Sequence, residues 1–135
     1  MLRKVFSVIL PVIFLVAPLI AAAQDVPAGK WWYNPQIQKN LNLNKGEIGK
    51  LDQLFADSRL KLIKLKSDVE SEQFELDQLL SKKKVDDSDV KKQFQKLEQA
   101  RKNLANERLD FVIGVRNILG ADRFQLLKSN FRKWQ

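Results

Sequence analysis

Between Leu43 and Leu80 apolar residues return at a spacing of seven. Ile48, Phe55, Leu62, Val69 and Leu76 share one register, and Leu51, Leu65 and Leu79 share the register three residues later. A heptad spacing sustained over this span predicts one long helix with a single apolar seam, as in a coiled coil or a helical hairpin. Ser58 and Glu72 fall in the second register and dilute the seam there. At about 1.5 Å per residue the helix is roughly 55 Å long, so another element must fold back along it.

That element follows directly. Val90, Leu97, Leu104, Phe111 and Ile118 again recur every seven residues and predict a second helix from about Asp87 to Ile118. Its companion register is expected at Phe94, Arg101, Arg108 and Val115, with the two arginines snorkelling beside the seam or pairing with first-helix carboxylates such as Glu72. A tail helix then places Phe124, Leu127, Phe131 and Trp134 on one stripe, expected to close the open end of the hairpin.

The polar residues between these runs mark where each helix starts and stops. Asn34 suits an N-cap and Pro35 the first helical position, so a short helix to Leu41 is expected, with Ile37 and Leu41 on one face. In Leu43-Asn44-Lys45-Gly46-Glu47-Ile48 the Asn44 and Glu47 side chains form a capping box, and Leu43 staples onto Ile48. Lys82-Lys83-Lys84 suits the negative end of the first long helix, with a basic tip touching anionic lipid as the functional alternative. Val85 to Val90 repeats a start signal with Asp86 as cap. The short link makes the two long helices antiparallel neighbours. Gly120 serves as the stop of the second helix and the start of the tail, with Leu119 stapled to Phe124.

The first residues alter the picture of where this protein works. Arg3 and Lys4 precede an apolar run from Val5 to Ile20 that ends in Ala21-Ala22-Ala23, the form of a secretory signal peptide cleaved near Ala23. A retained membrane anchor is the alternative; Pro11, Pro18 and the small-residue ending favour cleavage. The expected division is a signal peptide over 1–23, a flexible lead-in with an aromatic cluster over 24–34, and one helical-hairpin domain over 35–135. Without residues 1–23 the chain has 112 residues, 22 Lys and Arg against 16 Asp and Glu, and a net charge of +6. A basic exported protein argues against nucleic acid and for unfolded or acidic proteins, lipid headgroups or envelope polymers as partners.

Cysteine and histidine are absent and the only methionine is Met1. No disulfide staples the fold, so burial and helix caps must stabilise it. No thiolate, imidazole or thioether remains for soft metals, and Asp86, Asp87 and Asp89 already have a capping role, so no metal site is expected. No imidazole base, thiol or phosphate loop points to catalysis or a cofactor, and the chain is read as a non-enzyme.

At the two stapled caps the chain resembles the periplasmic Spy/CpxP-like proteins, the LTxxQ-motif family that includes zinc-resistance-associated and CnrX-type heavy-metal sensor proteins. The first copy reads Leu43-Asn44-Lys45-Gly46-Glu47 and the second Leu119-Gly120-Ala121-Asp122-Arg123. Asn44 and Gly120 stand for the threonine; Glu47 and Arg123 stand for the glutamine. The first copy keeps the capping chemistry, whereas Gly120 and Arg123 do not. The resemblance implies an all-α hairpin that pairs into a homodimer. It also implies a periplasmic chaperone or envelope-stress protein that holds unfolded or misfolded envelope proteins without ATP, or regulates a sensor kinase; heavy-metal resistance or sensing is the alternative.

The residues themselves offer a surface for such binding. Leu60, Ile63 and Phe74 form a second apolar stripe on the first long helix, with Lys61, Lys64 and Lys66 around it. Isolated apolar groups among flexible cations hold many chains weakly, without demanding one shape. The competing expectation is that a dimer or the other helices cover this stripe. Trp31 and Trp32, with Tyr33, either pack the amino-terminal helix or stay exposed as a further client or membrane-interface contact.

Overall fold

The computed structural model describes residues 29–134, with side chains described through Phe131. A 3-10 turn at Trp31–Tyr33 leads into α1 (Pro35–Leu41), α2 (Lys45–Leu80), α3 (Asp87–Leu119) and α4 (Ala121–Trp134). The expected signal peptide, its anchor alternative and most of the lead-in before Trp31 lie outside the described residues, as does the Trp134 side chain. Among the described residues there is no strand, so the molecule is an all-α hairpin of α2 and α3 with short helices at one end.

The start signals act as their residue types require. The Asn34 carboxamide accepts from the Gln36 and Ile37 amides at 2.9 and 3.3 Å, with Pro35 first in the helix. Asn44 accepts from the Glu47 amide at 2.8 Å while its own amide donates to Glu47 Oε2 at 3.1 Å, a complete capping box. Between these helices Asn42 adopts the left-handed conformation at φ 50°, which asparagine tolerates better than most residues. Asp86 caps α3 through the Ser88 amide. Gly120, at φ 79°, ends α3 by donating its amide to Arg116 O.

The α2 seam runs in the expected register, burying Leu51, Ser58 and Leu76. The α3 seam corrects the expectation by one residue. Its companion register along the distal half is Gln93, Ala100 and Glu107, continuing to Gly114, three residues after each heptad apolar position; Gln93 and Ala100 are buried, whereas Phe94 is 48% exposed and Arg101 lies on the surface, and of the expected set only Val115, at the base, is fully buried. One residue is about 100° of helix rotation, which moves a side chain from the seam to its flank. Small residues suit the true register: a Cβ on Gly114 would fall 2.8 Å from both terminal methyls of Leu54, so α3 approaches α2 closely here.

The expected pairing of Arg101 with Glu72 is corrected too. Gln93 Nε2 takes Glu72, donating to its carbonyl at 3.0 Å and its carboxylate at 2.6 Å. This satisfies a polar layer inside the seam. Arg101 donates instead to Glu98 at 2.6 Å and across the hairpin to Gln73 at 3.3 Å.

The main core sits at the base, where all four helices meet. Trp31, Trp32, Ile37, Leu41, Leu51, Val115, Leu119, Phe124 and Leu127 form one buried cluster, with Leu43, Ile48, Phe55 and Phe111 packed against it. Trp32 stacks edge-on to Phe55, and Phe55 edge-on to Phe111, with ring centroids 5.6 and 6.3 Å apart. The tail stripe Phe124 and Leu127 closes this end, as its spacing predicts.

Candidate functional site

Two polar ties fasten the base. Arg123 on α4 donates to Glu47 at 2.5 and 3.0 Å, to Leu119 O at 2.8 Å and to Leu41 O at 3.2 Å, joining the ends of α1 and α3 to the first turn of α2. This fork holds the Glu47 carboxyl below its ordinary value against the opposing effect of burial, and Glu47 raises the Arg123 guanidinium in return. The expectation that Arg123 has no capping role holds for the amide of its own helix start. The same side chain satisfies carbonyls at two other helix ends, as a cation suits.

The second tie is Asp52. Tyr33 and Trp32 both donate to its carboxylate, and Lys30 lies 3.6 Å away. These donors, Tyr33 first and Trp32 next, hold Asp52 below its usual range. The Tyr33 hydroxyl is pushed up by the same contact. Trp31 and Trp32 are buried packing residues, 6% and 0% exposed, which bears out the expectation that they pack the amino-terminal helix and corrects the alternative of an exposed client or membrane contact; only Tyr33 of the cluster is exposed.

Away from the base the hairpin has two unlike flanks. In an antiparallel pair, the residue after each second-register seam position of α2 lies on the same side as the corresponding residue of α3. The Gln73–Arg101 hydrogen bond crosses on this side. Distal to the base these positions are Arg59, Lys66, Gln73 and Leu80 on α2 and Phe94, Arg101 and Arg108 on α3. They carry four cations and no carboxylate. Among them Leu80 is 57% exposed; in the next register out on the same side Ile63 is 58% exposed, together with the carboxylates Glu70 and Asp77 of α2 and Glu98 of α3. The opposite flank holds Lys61, Asp68 and Glu75 facing Lys96, Asn103 and Asp110, a mixture with one excess negative charge.

The sequence-derived stripe is only partly brought together. Leu60, Ile63 and Phe74 are all exposed, but Leu60 and Phe74 lie along the outer edge of α2 while Ile63 turns toward the cationic flank. Lys61 reaches Glu107 at 3.9 Å and Lys64 reaches Asp68 at 2.8 Å, both away from that flank; Lys66 lies on it. Leu43, Asn44, Glu47, Leu119, Gly120 and Arg123 all gather at the base. Sequence reasoning missed Arg59 and the flank roles of Phe94, Arg101 and Arg108. The signal that places them is a companion register starting three residues after Val90.

A family model described as heavy-metal resistance matches residues 8–125. The chain belongs to that family. It is the Spy/CpxP-like LTxxQ family, whose members are typically periplasmic. Neither a curated protein nor a solved structure matches the chain. No helix among the described residues is long and apolar enough to cross a membrane.

The donor set does not fit a heavy metal. The sequence has no histidine or cysteine and a single methionine at position 1, and the described residues bring no three carboxylates together. Soft and borderline metals select the side chains that are missing.

Proposed function

We propose that this protein is a periplasmic holding chaperone of the Spy/CpxP-like kind, binding unfolded or aggregation-prone envelope proteins without ATP. The observation that carries the reading is the distal hairpin, a pair of helices whose surface leaves Leu60, Ile63, Phe74, Phe94 and Leu109 between 48% and 72% exposed. Apolar groups set singly among long cations exclude little water on their own and demand no fixed partner shape, so they suit many weak contacts. Light scattering of a chemically denatured client diluted into refolding buffer tests this. Suppressed aggregation at equimolar or higher ratios is expected, and its absence overturns the proposal.

Heavy-metal sensing is the second reading, supported by the family match. The missing soft ligands weigh against it. Calorimetric titration with zinc, nickel and copper separates the two, and tight binding reverses their order.

A further inference from the structure

We propose that the hairpin works as tweezers: α2 and α3 part along their own distal seam while the base stays closed, and the parted seam admits one apolar, helix-sized segment. The occupant rests on the proposed holding function, which this deepens; the parting itself does not.

The two halves of the seam bury their residues unequally. At the base Trp32, Leu41, Leu51, Val115 and Leu127 are each at most 1% exposed, and the 3-10 turn, α1 and α4 join the long helices in one cluster. Further out each long helix has only its partner. Of the apolar residues on this distal seam only Leu76, Leu97 and Ala100 are buried; Leu62, Leu65, Val69 and Leu104 stay partly exposed in the closed hairpin. The free energy of opening follows the apolar area released, so the distal half separates before the base does.

The layer just beyond the base is the weakest. The Gly114–Leu54 approach and the Lys61–Glu107 contact fix the antiparallel register, and Ser58 and Glu107 occupy the seam between them. Ser58 is 4% exposed, and among the described residues its hydroxyl has no hydrogen-bond partner. The Glu107 side chain is 12% exposed, and Lys61, the cation paired with it, lies 3.9 Å away, too far for a hydrogen bond. A hydroxyl and a carboxylate shut away in this state regain hydrogen bonds from water when the helices part, which favours opening. Further out the Glu72–Gln93 layer supplies hydrogen bonds in place of apolar burial.

Geometry limits how far the seam opens. α3 comes closest to α2 where Leu54 sits against the bare backbone of Gly114, and this contact is the pivot. From Leu54 to Leu80 the arm is about 40 Å long. At the tip the link from Ser81 to Asp86 has six residues, which reach at most about 20 Å when extended. Packed helices stand about 8–10 Å apart, so the tip allows about 10 Å of further separation, a splay of about 15° that lies within the scatter of packed pairs. That is room for one helix and no more. No proline or glycine interrupts α2 after Gly49 or α3 before Gly114, so each arm moves whole. The parted arms present Leu62, Leu65, Val69, Leu97 and Leu104, an aliphatic lining that fits the apolar stripe of an amphipathic helix.

The chain has no cysteine, so one introduced thiol reports one seam position. Ala100→Cys on the distal seam and Val115→Cys at the base are mild changes at buried residues, 7% and 0% exposed. Labelling by a thiol reagent under native conditions, normalised to the denatured chains, should be about a hundredfold faster at position 100 than at 115 and less steeply dependent on denaturant. Equal rates with equal slopes mean that only global unfolding opens the seam, and a rate at 100 independent of denaturant means static exposure; either overturns the proposal. Glu107→Leu with Ser58→Ala fills the weak layer and should slow labelling at 100 about tenfold, with Ser58→Ala alone acting in the same direction. Unchanged or faster labelling in both overturns it. A peptide of about 18 residues with a leucine stripe should protect position 100 about tenfold, and the same peptide with serine for leucine should not. Binding of the leucine peptide without protection places the occupant outside the seam. If aggregation is suppressed undiminished by Glu107→Leu with Ser58→Ala, the tweezers fall and the holding function stands on the exposed surface. If the unaltered chain suppresses no aggregation, the holding function falls, while the labelling ratio still decides the parting.

Discussion

The base and the distal half of this hairpin are built from the same two helices, yet they are held together by different means. At the base four helices and a 3-10 turn share one apolar cluster, and Arg123 and Asp52 tie the segments across it. In the distal half each helix has only its partner, the seam includes the polar Glu72–Gln93 layer, and large apolar side chains stand in solvent. The main buried apolar cluster lies at one end, while exposed large apolar groups such as Leu60, Ile63 and Phe74 lie along the other. A holding surface requires that separation.

The sharpest way to break the comparison is to empty the base. Trp32→Ala removes a fully buried indole that packs on Phe55 and bonds Asp52, and truncations of this kind cost about 3–5 kcal/mol. Chemical denaturation followed by far-UV circular dichroism should show a loss of that size. A loss under about 1 kcal/mol would mean that the base is not where stability resides.

Arg123→Ala comes next. It strips the partner from a partly buried Glu47 and leaves the Leu41 and Leu119 carbonyls without their donor. Some solvent reaches the pair, so the expected cost is about 2 kcal/mol, at the lower end for a broken charge pair. Replacing both members with glutamine, Glu47→Gln with Arg123→Gln, should cost less than Arg123→Ala, because no charge is then left unpaired.

Most of the hairpin is legible in the sequence, and the reasons are local. Heptad spacing marks the α2 seam, and the Asn44–Glu47 box and Asn34-Pro35 pair are signals carried within three or four residues. Along the distal half the α3 companion register misleads because Phe94 is more apolar than Gln93, although Val115 of the same expected set is buried at the base. Apolarity alone favours the wrong set, while Gln93 finds its partner on α2 and Gly114 is small for the sake of Leu54. The Glu47–Arg123 pair spans 76 residues and joins two motifs that each look degraded alone. Only the fold shows that the two departures from glutamine are complementary. The flank surface depends on the corrected register and is hidden for the same reason.

Acid should act on the base before the distal half. Glu47 and Asp52 are the carboxylates held below their ordinary values of 4.5 and 3.8 among the described residues, and each fastens one flanking segment to α2. A depressed carboxyl contributes stability above its unfolded value and loses it as pH falls through the folded one. Stability should therefore be level above about pH 5 and decline below pH 4.5. In Glu47→Gln that decline should be shallower, measured by denaturation midpoints across the acid range. An unchanged slope would mean that the tie contributes no linkage.

The smallest expected effect sharpens the comparison from the other side. Ile63→Ser with Phe74→Ser removes two side chains that are each 58% exposed. Serine, isoleucine and phenylalanine have similar helix propensities, so neither packing nor backbone preference changes much, and stability should stay within about 0.5 kcal/mol. Suppression of client aggregation should nevertheless fall. If instead stability drops by more than about 1 kcal/mol while suppression is unchanged, these side chains support the fold. The distal half would then be structural in the way the base is, and the division of labour between the two ends would fail.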